Sequence, residues 1–344
     1  PALIFARRHA IRLGMSIRLL NGLSDIAGQY DALICDVWGV VHDGHHAHAP
    51  ACDALRRFRQ EHGPVVLLTN APRVPAAVRE QFAAIGVPED CYDSIVSSGG
   101  AARAELARRA RASAQRSEAN APGAQSAPTQ SMGAPRPLGA TIKSGAAIQP
   151  GAAAAQKESL RLYYIGTDRD VSIFEGLDVT LTGLEEAEAV LCTGLRDDDS
   201  EAPADYGPEL ARIAARGLPM LCANPDLVVH RGVRLYWCAG ALARDYAALG
   251  GPVIYYGKPH GPVYDMARAE VAALRKGVLA KRPLAIGDGM PTDIKGANAQ
   301  GLDALFIADG IHGEEIEPYT PAHLTQLLAK NGLVATAALR SLKW

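Results

Sequence analysis

Short apolar runs, each closed by polar or glycine residues, recur along the first and the last third of the chain. The runs lie at about 32–37, 64–70, 92–100, 252–258, 283–289 and 303–310. Helical patterns separate them at about 50–62, 74–85, 261–276 and 291–300. Because strands that alternate with helices usually build one parallel sheet, this pattern predicts an α/β fold with a Rossmann-like core. Ligands of such sheets bind at the carboxyl ends of the strands.

The middle of the chain breaks this pattern. Residues from about 109 to 158 are mostly Ala, Ser, Pro, Gly and Gln, and a segment so poor in large apolar residues predicts a disordered insertion. Further apolar runs follow it, and they predict a second, smaller α/β domain inserted into the first. The predicted division is an N-terminal extension (1–20), a first core part (21–100), the inserted domain (101–237), a second core part (238–335) and a tail (336–344).

Composition narrows the class of protein. The 344 residues carry 35 Lys and Arg against 37 Asp and Glu, and this balance gives no general attraction for nucleic acid or an anionic membrane. No apolar stretch reaches the roughly 18 residues that span a bilayer. Six scattered cysteines without a CxxC pair predict reduced, buried thiols in a cytoplasmic protein. Residues 1–14 are basic, and Met15 offers an alternative start.

Reactive side chains follow several of the predicted strands. They are Asp36, Thr69, Asn70, Lys258, Asp288 and, at the start of the next helix, Asp293. Singly, each is as compatible with a turn or a helix cap as with chemistry. Together they bring carboxylates, a hydroxyl and an ammonium to one edge of one sheet. This set suits phosphoryl transfer, in which Mg²⁺ and a lysine offset the repulsion between a carboxylate and a phosphate.

Four segments in this order resemble a known family. They read "DVWG", "LLTN", "GKP" and "GDGMPTD", and the inserted domain ends near "ANPD". This set resembles the motifs of the haloacid dehalogenase (HAD) superfamily, and the insertion resembles that of its class IIA group of 4-nitrophenylphosphatase-like and nucleotide-phosphatase-like proteins. The resemblance covers about 20–335, apart from the low-complexity segment. It implies a HAD-type core with an inserted α/β cap domain.

The resemblance implies a metal site and a covalent step. Asp36 matches the nucleophile, which also ligates Mg²⁺, and Trp38 would offer its backbone carbonyl to the metal. Asp288 matches the acidic metal ligand, and Asp293 matches a residue that stabilises this ligand without itself binding the metal. The reaction would pass through an aspartyl-phosphate intermediate, in which the phosphoryl group is bonded to Asp36.

The same resemblance implies how the phosphate is held. Thr69 and Asn70 match the pair that binds phosphate oxygens, and Lys258 matches the lysine that steadies both nucleophile and phosphate. Gly39 and Gly44 match glycines of a loop that moves with the cap.

Trp38 departs from the family pattern. Most phosphatases of the family have a second Asp at this position, which protonates the leaving oxygen and then activates water. An indole can do neither. Three explanations stay open: substrates that leave without protonation, a substitute acid or base at His42 or Asp43, or binding without turnover. A zinc site among the neighbouring residues His45, His46 and His48 is disfavoured by their irregular spacing.

The leading hypothesis is a Mg²⁺-dependent phosphomonoester hydrolase that acts on a small phosphorylated metabolite. The alternative is a catalytically weak or non-catalytic protein that binds such a metabolite on the same fold. A dinucleotide-dependent oxidoreductase is disfavoured because the loop after the first strand lacks GxGxxG. Arg169, Arg231 and Arg234 of the cap are candidates for binding anionic groups. The sequence names no substrate, and a homo-oligomer is left open.

Overall fold

A computed structural model describes residues 16–120, 159–231 and 234–344. The strands are β1 (Arg18–Leu19), β2 (Ala32–Cys35), β3 (Val65–Thr69), β4 (Ser94–Ser97), β5 (Leu160–Ile165), β6 (Val179–Leu181), β7 (Ala189–Cys192), β8 (Met220–Cys222), β9 (Val228–Arg231), β10 (Arg234–Trp237), β11 (Val253–Tyr255), β12 (Pro283–Gly287), β13 (Asp303–Ile307) and β14 (Ala337–Leu339). The helices are α1 (Ala49–Glu61), α2 (Pro75–Ile85), α3 (Ser98–Asn120), α4 (Gly207–Ala215), α5 (Ala239–Ala248), α6 (Gly261–Leu274), α7 (Lys295–Ala299) and α8 (Pro321–Lys330).

The larger sheet has seven parallel strands in the order β1-β14-β13-β12-β2-β3-β4. Helices α1 and α2 contribute to the apolar cluster on one face, and α6, α7 and α8 contribute to the cluster on the other. Every residue of β2 and β3 is buried, as expected for parallel strands covered on both faces. The predicted α/β fold with a Rossmann-like core is confirmed.

Local sequence explains where the helices next to this sheet begin and end. Helix α2 starts with Pro75, whose fixed φ suits the first turn and whose missing N–H has no helical partner there. It ends at Gly86, which adopts the left-handed conformation (φ 82°) and donates its N–H to the Phe82 carbonyl. This short helix therefore returns the chain to the start of β4, beside β3.

A smaller parallel sheet, with the order β11-β8-β7-β5-β6, forms the second layered unit. Helices α4 and α5 pack on one of its faces and α3 on the other. Strands β9 and β10 pair with each other as an antiparallel hairpin. All six cysteines are buried and reduced, as predicted.

The prediction of disorder from residue 109 is wrong at its start. Helix α3 continues to Asn120, and Ala110 and Ala114 on it are buried. Alanine at these positions lets the helix lie close to the smaller sheet, so a composition poor in large apolar residues is compatible with an ordered helix here. Residues 121–158 of the predicted insertion lie outside the described residues.

One predicted strand joins a different sheet from the one expected. The run at 252–258 was predicted for the second core part, yet β11 pairs with β8 of the smaller sheet. Helix α5 also packs there. The chain thus returns to the large sheet after β11, at residues 256–258, and not at residue 238. Hydrophobic pattern identifies a buried strand but not its neighbour.

Two segments predicted as extension and tail are part of the large sheet. Strand β14 lies between β1 and β13, and Leu339 and Leu342 are buried. Trp344 stacks on His62 with the ring centroids 6.0 Å apart. The strand was missed because it has only three residues, two of them alanine.

Among the described residues, no helix combines the length and the apolar character that crossing a membrane requires.

We predict that Leu339→Ala costs about 2–5 kcal/mol of unfolding free energy, because it removes buried methyl groups from an internal strand. Leu249→Ala is the matched control, since Leu249 is 51% exposed. Thermal and urea denaturation of the two variants provide the measurement. An equally small effect for both would mean that residues 336–344 are the tail that the sequence predicted.

Candidate active site

The carboxyl ends of three neighbouring strands carry the predicted reactive residues. Asp36 follows β2, Thr69 ends β3 and Asp288 follows β12, and β2 lies between the other two strands. All three side chains are buried. Because parallel neighbours end at one edge, residues more than 250 positions apart in sequence become adjacent.

A cluster of acids forms at this edge. Carboxylate oxygens of Asp36, Asp288 and Asp293 all lie within 4.8 Å of one another. The Lys258 ammonium contacts Asp36 Oδ1 and lies 2.8 Å from Asp293 Oδ1. The resemblance implies that Asp293 stabilises Asp288, and in the structure Asp293 pairs directly with Lys258. The structure therefore brings the predicted nucleophile, lysine and both later acids together.

The electrostatics of this cluster are those of crowded, buried charges. Burial and the neighbouring Asp293 raise the pKa of Asp36 well above its usual range, against the opposing effect of Lys258. Burial and Asp293 also raise the pKa of Asp288 to about 6, although the Ile311 N–H opposes the shift. Burial alone would lower the pKa of Lys258, but Asp293 and Asp36 outweigh it and raise that pKa.

The residues fit a divalent cation. Three carboxylates face one ammonium, so with every group ionised the cluster carries two excess negative charges. Oxygen ligands of this kind suit a hard ion such as Mg²⁺. A cation would also relieve the repulsion that raises the pKa values of Asp36 and Asp288.

Two glycines make room for the Asp288 carboxylate. A Cβ built on Gly39 would lie 2.2 Å from Asp288 Oδ2, and a Cβ on Gly310 would lie 2.0 Å from it. Gly39 also has φ 78°, which disfavours other residues. The Ile311 N–H donates to Asp288 Oδ2 at 2.9 Å. Gly310 and Ile311 were missed from the sequence, although the polar "ADG" after β13 marks another strand end at this edge.

Asn70 does not point free into the site. Its Nδ2 donates to Asp226 Oδ1 (2.8 Å) and to the Lys258 carbonyl (3.1 Å), while its Oδ1 accepts from the Lys258 N–H (2.7 Å). In contrast, the Thr69 hydroxyl accepts a hydrogen bond from the Ala71 N–H and keeps its own hydrogen as a donor. Of the predicted phosphate-binding pair, Thr69 has the better geometry.

The Trp38 indole is locked by its own loop. Its ring meets the His42 ring edge-on, with centroids 5.0 Å apart, and a Cβ on Gly44 would lie 2.6 Å from the indole. His42 Nδ1 in turn accepts the Gly44 N–H at 2.9 Å. Gly44 therefore allows the indole and the loop to pack closely.

Neither predicted substitute acid carries a proton ready for transfer. Burial, with His48 nearby, lowers the pKa of His42 to about 4, so its ring is neutral near pH 7. The backbone N–H groups of His46 and His45 lower the pKa of Asp43, which caps the exposed turn that contains them. The lowered pKa values thus oppose both candidates as proton donors.

The other predicted binding residues lie elsewhere or are engaged. Within the described ranges, the group with metal-ligand spacing is that of the three acids, and the histidines near His45 form none. Arg169 pairs with Asp198, and Arg234 lies 3.3 Å from Asp199. The side chain of Arg231 lies outside the described residues.

Comparisons with known proteins identify the family. Residues 33–180 match the haloacid dehalogenase-like hydrolases, and residues 255–330 match a second, HAD-hydrolase-like profile. A crystal structure of a haloacid dehalogenase-like hydrolase from Brucella suis 1330 is 38% identical, with a TM-score of 0.71 over 94% of this chain and 100% of that one. The chain therefore belongs to the haloacid dehalogenase-like hydrolase family, as predicted.

Relatives with more specific names are more distant. Dihydroxyacetone phosphatase from Corynebacterium glutamicum (strain R) is 31% identical over 117 residues, which span 33% of this chain and only 41% of that relative. The fold is shared with p-nitrophenyl phosphatase from Archaeoglobus fulgidus (15% identity, TM-score 0.57, 91% and 96% of the two chains). It is also shared with glycerol phosphate phosphatase from Mycobacterium tuberculosis in complex with magnesium (20%, 0.53, 86% and 73%). These more distant likenesses show a shared fold, and the class IIA assignment stays a prediction.

We predict that the neutral, buried His42 makes the stability of the fold fall in mild acid. Its folded pKa of about 4 lies below the unfolded value of 6.5, so the unfolded chain takes up the proton first. The contribution of neutral His42 to the free energy of unfolding is therefore complete above pH 6.5 and is lost as the pH falls toward 4. The loss is about 3 kcal/mol, at about 1.4 kcal/mol per pKa unit. Melting curves of wild type and His42→Asn between pH 4 and 8 should converge toward acid, and a constant gap between them would contradict this.

Proposed function

We propose that this hydrolase is a divalent-metal-dependent phosphomonoester phosphatase whose Asp36 attacks phosphorus. The observation that carries the proposal is the buried contact of the Lys258 ammonium with Asp36 and Asp293, with Asp288 in the same cluster. A protein that only bound a phosphate would gain nothing from a buried carboxylate aimed at an anionic ligand. An attacking nucleophile needs that arrangement.

Mg²⁺ is the proposed metal. Asp36, Asp288 and the backbone carbonyl of Trp38 would hold it, and Asp293 would orient Lys258. When bound, the ion offsets the charge of the phosphate and of the attacking carboxylate. The relative from M. tuberculosis was crystallised with magnesium, which supports this choice.

The chemistry then takes two displacements at phosphorus. A carboxylate oxygen of Asp36 forms a bond to phosphorus, and the bond to the leaving oxygen breaks with its electron pair. Water next attacks the phosphorus of the aspartyl phosphate and loses a proton to solvent. The bond from phosphorus to the Asp36 oxygen breaks with its electron pair, which returns Asp36 as carboxylate and releases inorganic phosphate. Thr69 donates its hydroxyl hydrogen to a phosphate oxygen, and Lys258 neutralises charge on both partners.

The leaving oxygen lacks a protein acid in this proposal. Trp38 cannot transfer a proton, His42 is neutral, and Asp43 is ionised and bonded within its own turn. Solvent must therefore supply the proton after the bond breaks. Rate depends on how well the leaving group carries negative charge.

Small phosphorylated sugars or polyols are the proposed substrate class, because the relatives are named for dihydroxyacetone and glycerol phosphate. Their alkoxide leaving groups carry charge poorly, so we expect their turnover to be slower than that of aryl phosphates. The alternative, a protein that binds such a metabolite without turnover, is supported only by Trp38, which stands where most phosphatases of the family have a second Asp.

The first test concerns the metal and the nucleophile. We expect chelation by EDTA, Asp288→Asn and Asp36→Asn each to lower the hydrolysis of 4-nitrophenyl phosphate by at least about 10²-fold, because each removes charge stabilisation or the nucleophile. Calorimetry should show weaker Mg²⁺ binding in both variants. Asp53→Asn, on the surface of α1, is the control. Full activity in EDTA or in Asp288→Asn would exclude this metal site.

The second test concerns the missing acid. A series of phosphate esters with increasingly poor leaving groups should give a steep loss of rate in wild type. Trp38→Asp should restore part of the ~10²–10⁴-fold that general acids supply, chiefly for the poorest leaving groups. Trp38→Phe, which supplies no carboxyl, should not. A shallow dependence in wild type that steepens in His42→Ala or Asp43→Asn would instead identify the acid that the geometry disfavours.

A further inference from the structure

Asp226 belongs to the inserted domain, yet its carboxylate reaches a residue beside the catalytic lysine. It lies between β8 and β9, in the "ANPD" segment, and accepts a hydrogen bond from Asn70 Nδ2 at 2.8 Å. Asn70 belongs to the loop after β3 of the large sheet. The contact therefore joins the two layered units at the edge where the reactive residues converge.

Asn70 passes this contact on to Lys258. Its amide bonds both backbone polar groups of the lysine, since Oδ1 accepts the Lys258 N–H and Nδ2 donates to the Lys258 carbonyl. The other end of Lys258 is its ammonium, which pairs with Asp36 and Asp293. A shift of the Lys258 backbone would thus move the ammonium relative to the nucleophile.

The turn that carries Asp226 is tightly fixed. The Asp226 N–H donates to Asn224 Oδ1, and its carbonyl accepts the Gly240 N–H at 3.1 Å. A Cβ on Gly257 would lie 2.6 Å from Pro225 Cδ and 2.7 Å from Asn70 Oδ1. Only glycine allows this approach, so the turn, Asn70 and the segment before Lys258 pack as one unit.

We propose that Asp226 is a positioning residue, which holds the Asn70 amide in the orientation that fixes the Lys258 backbone. An amide can flip, and flipping Asn70 would turn Oδ1 toward the Asp226 carboxylate and Nδ2 toward the Lys258 N–H. Both contacts would be repulsive. With Asp226 present, one orientation is favoured, and Lys258 stays aligned with Asp36. The catalytic role of Lys258 is part of the proposed function, so this inference rests on that function.

The test compares three substitutions at one position. Asp226→Ala removes the acceptor, Asp226→Asn keeps a neutral acceptor at the same place, and Asp226→Glu keeps the charge but moves it by one methylene. We expect kcat for 4-nitrophenyl phosphate to fall ~10–100-fold in Asp226→Ala, at least ~5-fold in Asp226→Glu, and less than ~3-fold in Asp226→Asn, with KM changed less than ~3-fold. Glu185→Ala, in an exposed cap ion pair, is the control and should match wild type.

Two further readouts separate this inference from the proposed function. Binding of orthovanadate with Mg²⁺, followed by calorimetry, should weaken about tenfold in Asp226→Ala and stay near wild type in Asp226→Asn. In the Asn70→Ala background, Asp226→Ala should have no further effect, because its partner is already absent. Wild type that binds vanadate without turnover would contradict the phosphatase proposal and still leave the vanadate comparison decisive for Asp226.

Three results would overturn the inference. One is unchanged turnover and vanadate binding in Asp226→Ala. Another is an equal loss in Asp226→Asn and Asp226→Ala, which would mean that the charge acts directly. The third is a full additional loss in the Asn70→Ala background. Asp226→Glu and Asp226→Asn decide the question if Asp226→Ala does not fold.

Discussion

The burial of three carboxylates around one ammonium is the constraint on which the site depends. Asp36, Asp288, Asp293 and Lys258 are each 3–7% exposed, and removing ions from water is costly unless they are paired. Lys258 pairs with two of the acids, and the negative charge that it leaves unpaired would be neutralised by a bound cation. The adjacent parallel strands β2 and β12 bring Asp36 and Asp288 together, because each residue directly follows one of them. Burying these charges costs stability, and the proposed binding of metal and phosphate would offset that cost.

The path of the chain gives the inserted domain a direct influence on that site. The chain leaves the large sheet through α3 and returns after β11, which ends two residues before Gly257 and three before Lys258. Lys258 therefore stands at the junction of the two units. Asp226 reaches the same junction from β8 through Asn70. Movement of the smaller sheet would reach Lys258 by both routes.

Sequence predicted the parts of the site that follow from strand ends and motif order. All six reactive side chains were expected together because each follows a strand or begins the helix after one, and the resemblance added their individual roles. The direct pairing of Asp293, the saturated amide of Asn70 and the role of Gly310 depend on side-chain contacts that spacing does not encode. Strand β11 was assigned to the wrong sheet because pattern does not specify neighbours. Strand β14 was missed because alanine carries little strand signal.

The central claim is that Asp36 becomes covalently phosphorylated. The most direct measurement is mass spectrometry of the peptide that contains Asp36, after acid quench of the Mg²⁺-loaded protein during turnover of an aryl phosphate. The account predicts one phosphoryl group on Asp36, and it predicts accumulation of this species because Trp38 supplies no base to activate the attacking water. Steady release of phosphate with Asp36 unmodified at every quench time would contradict the account.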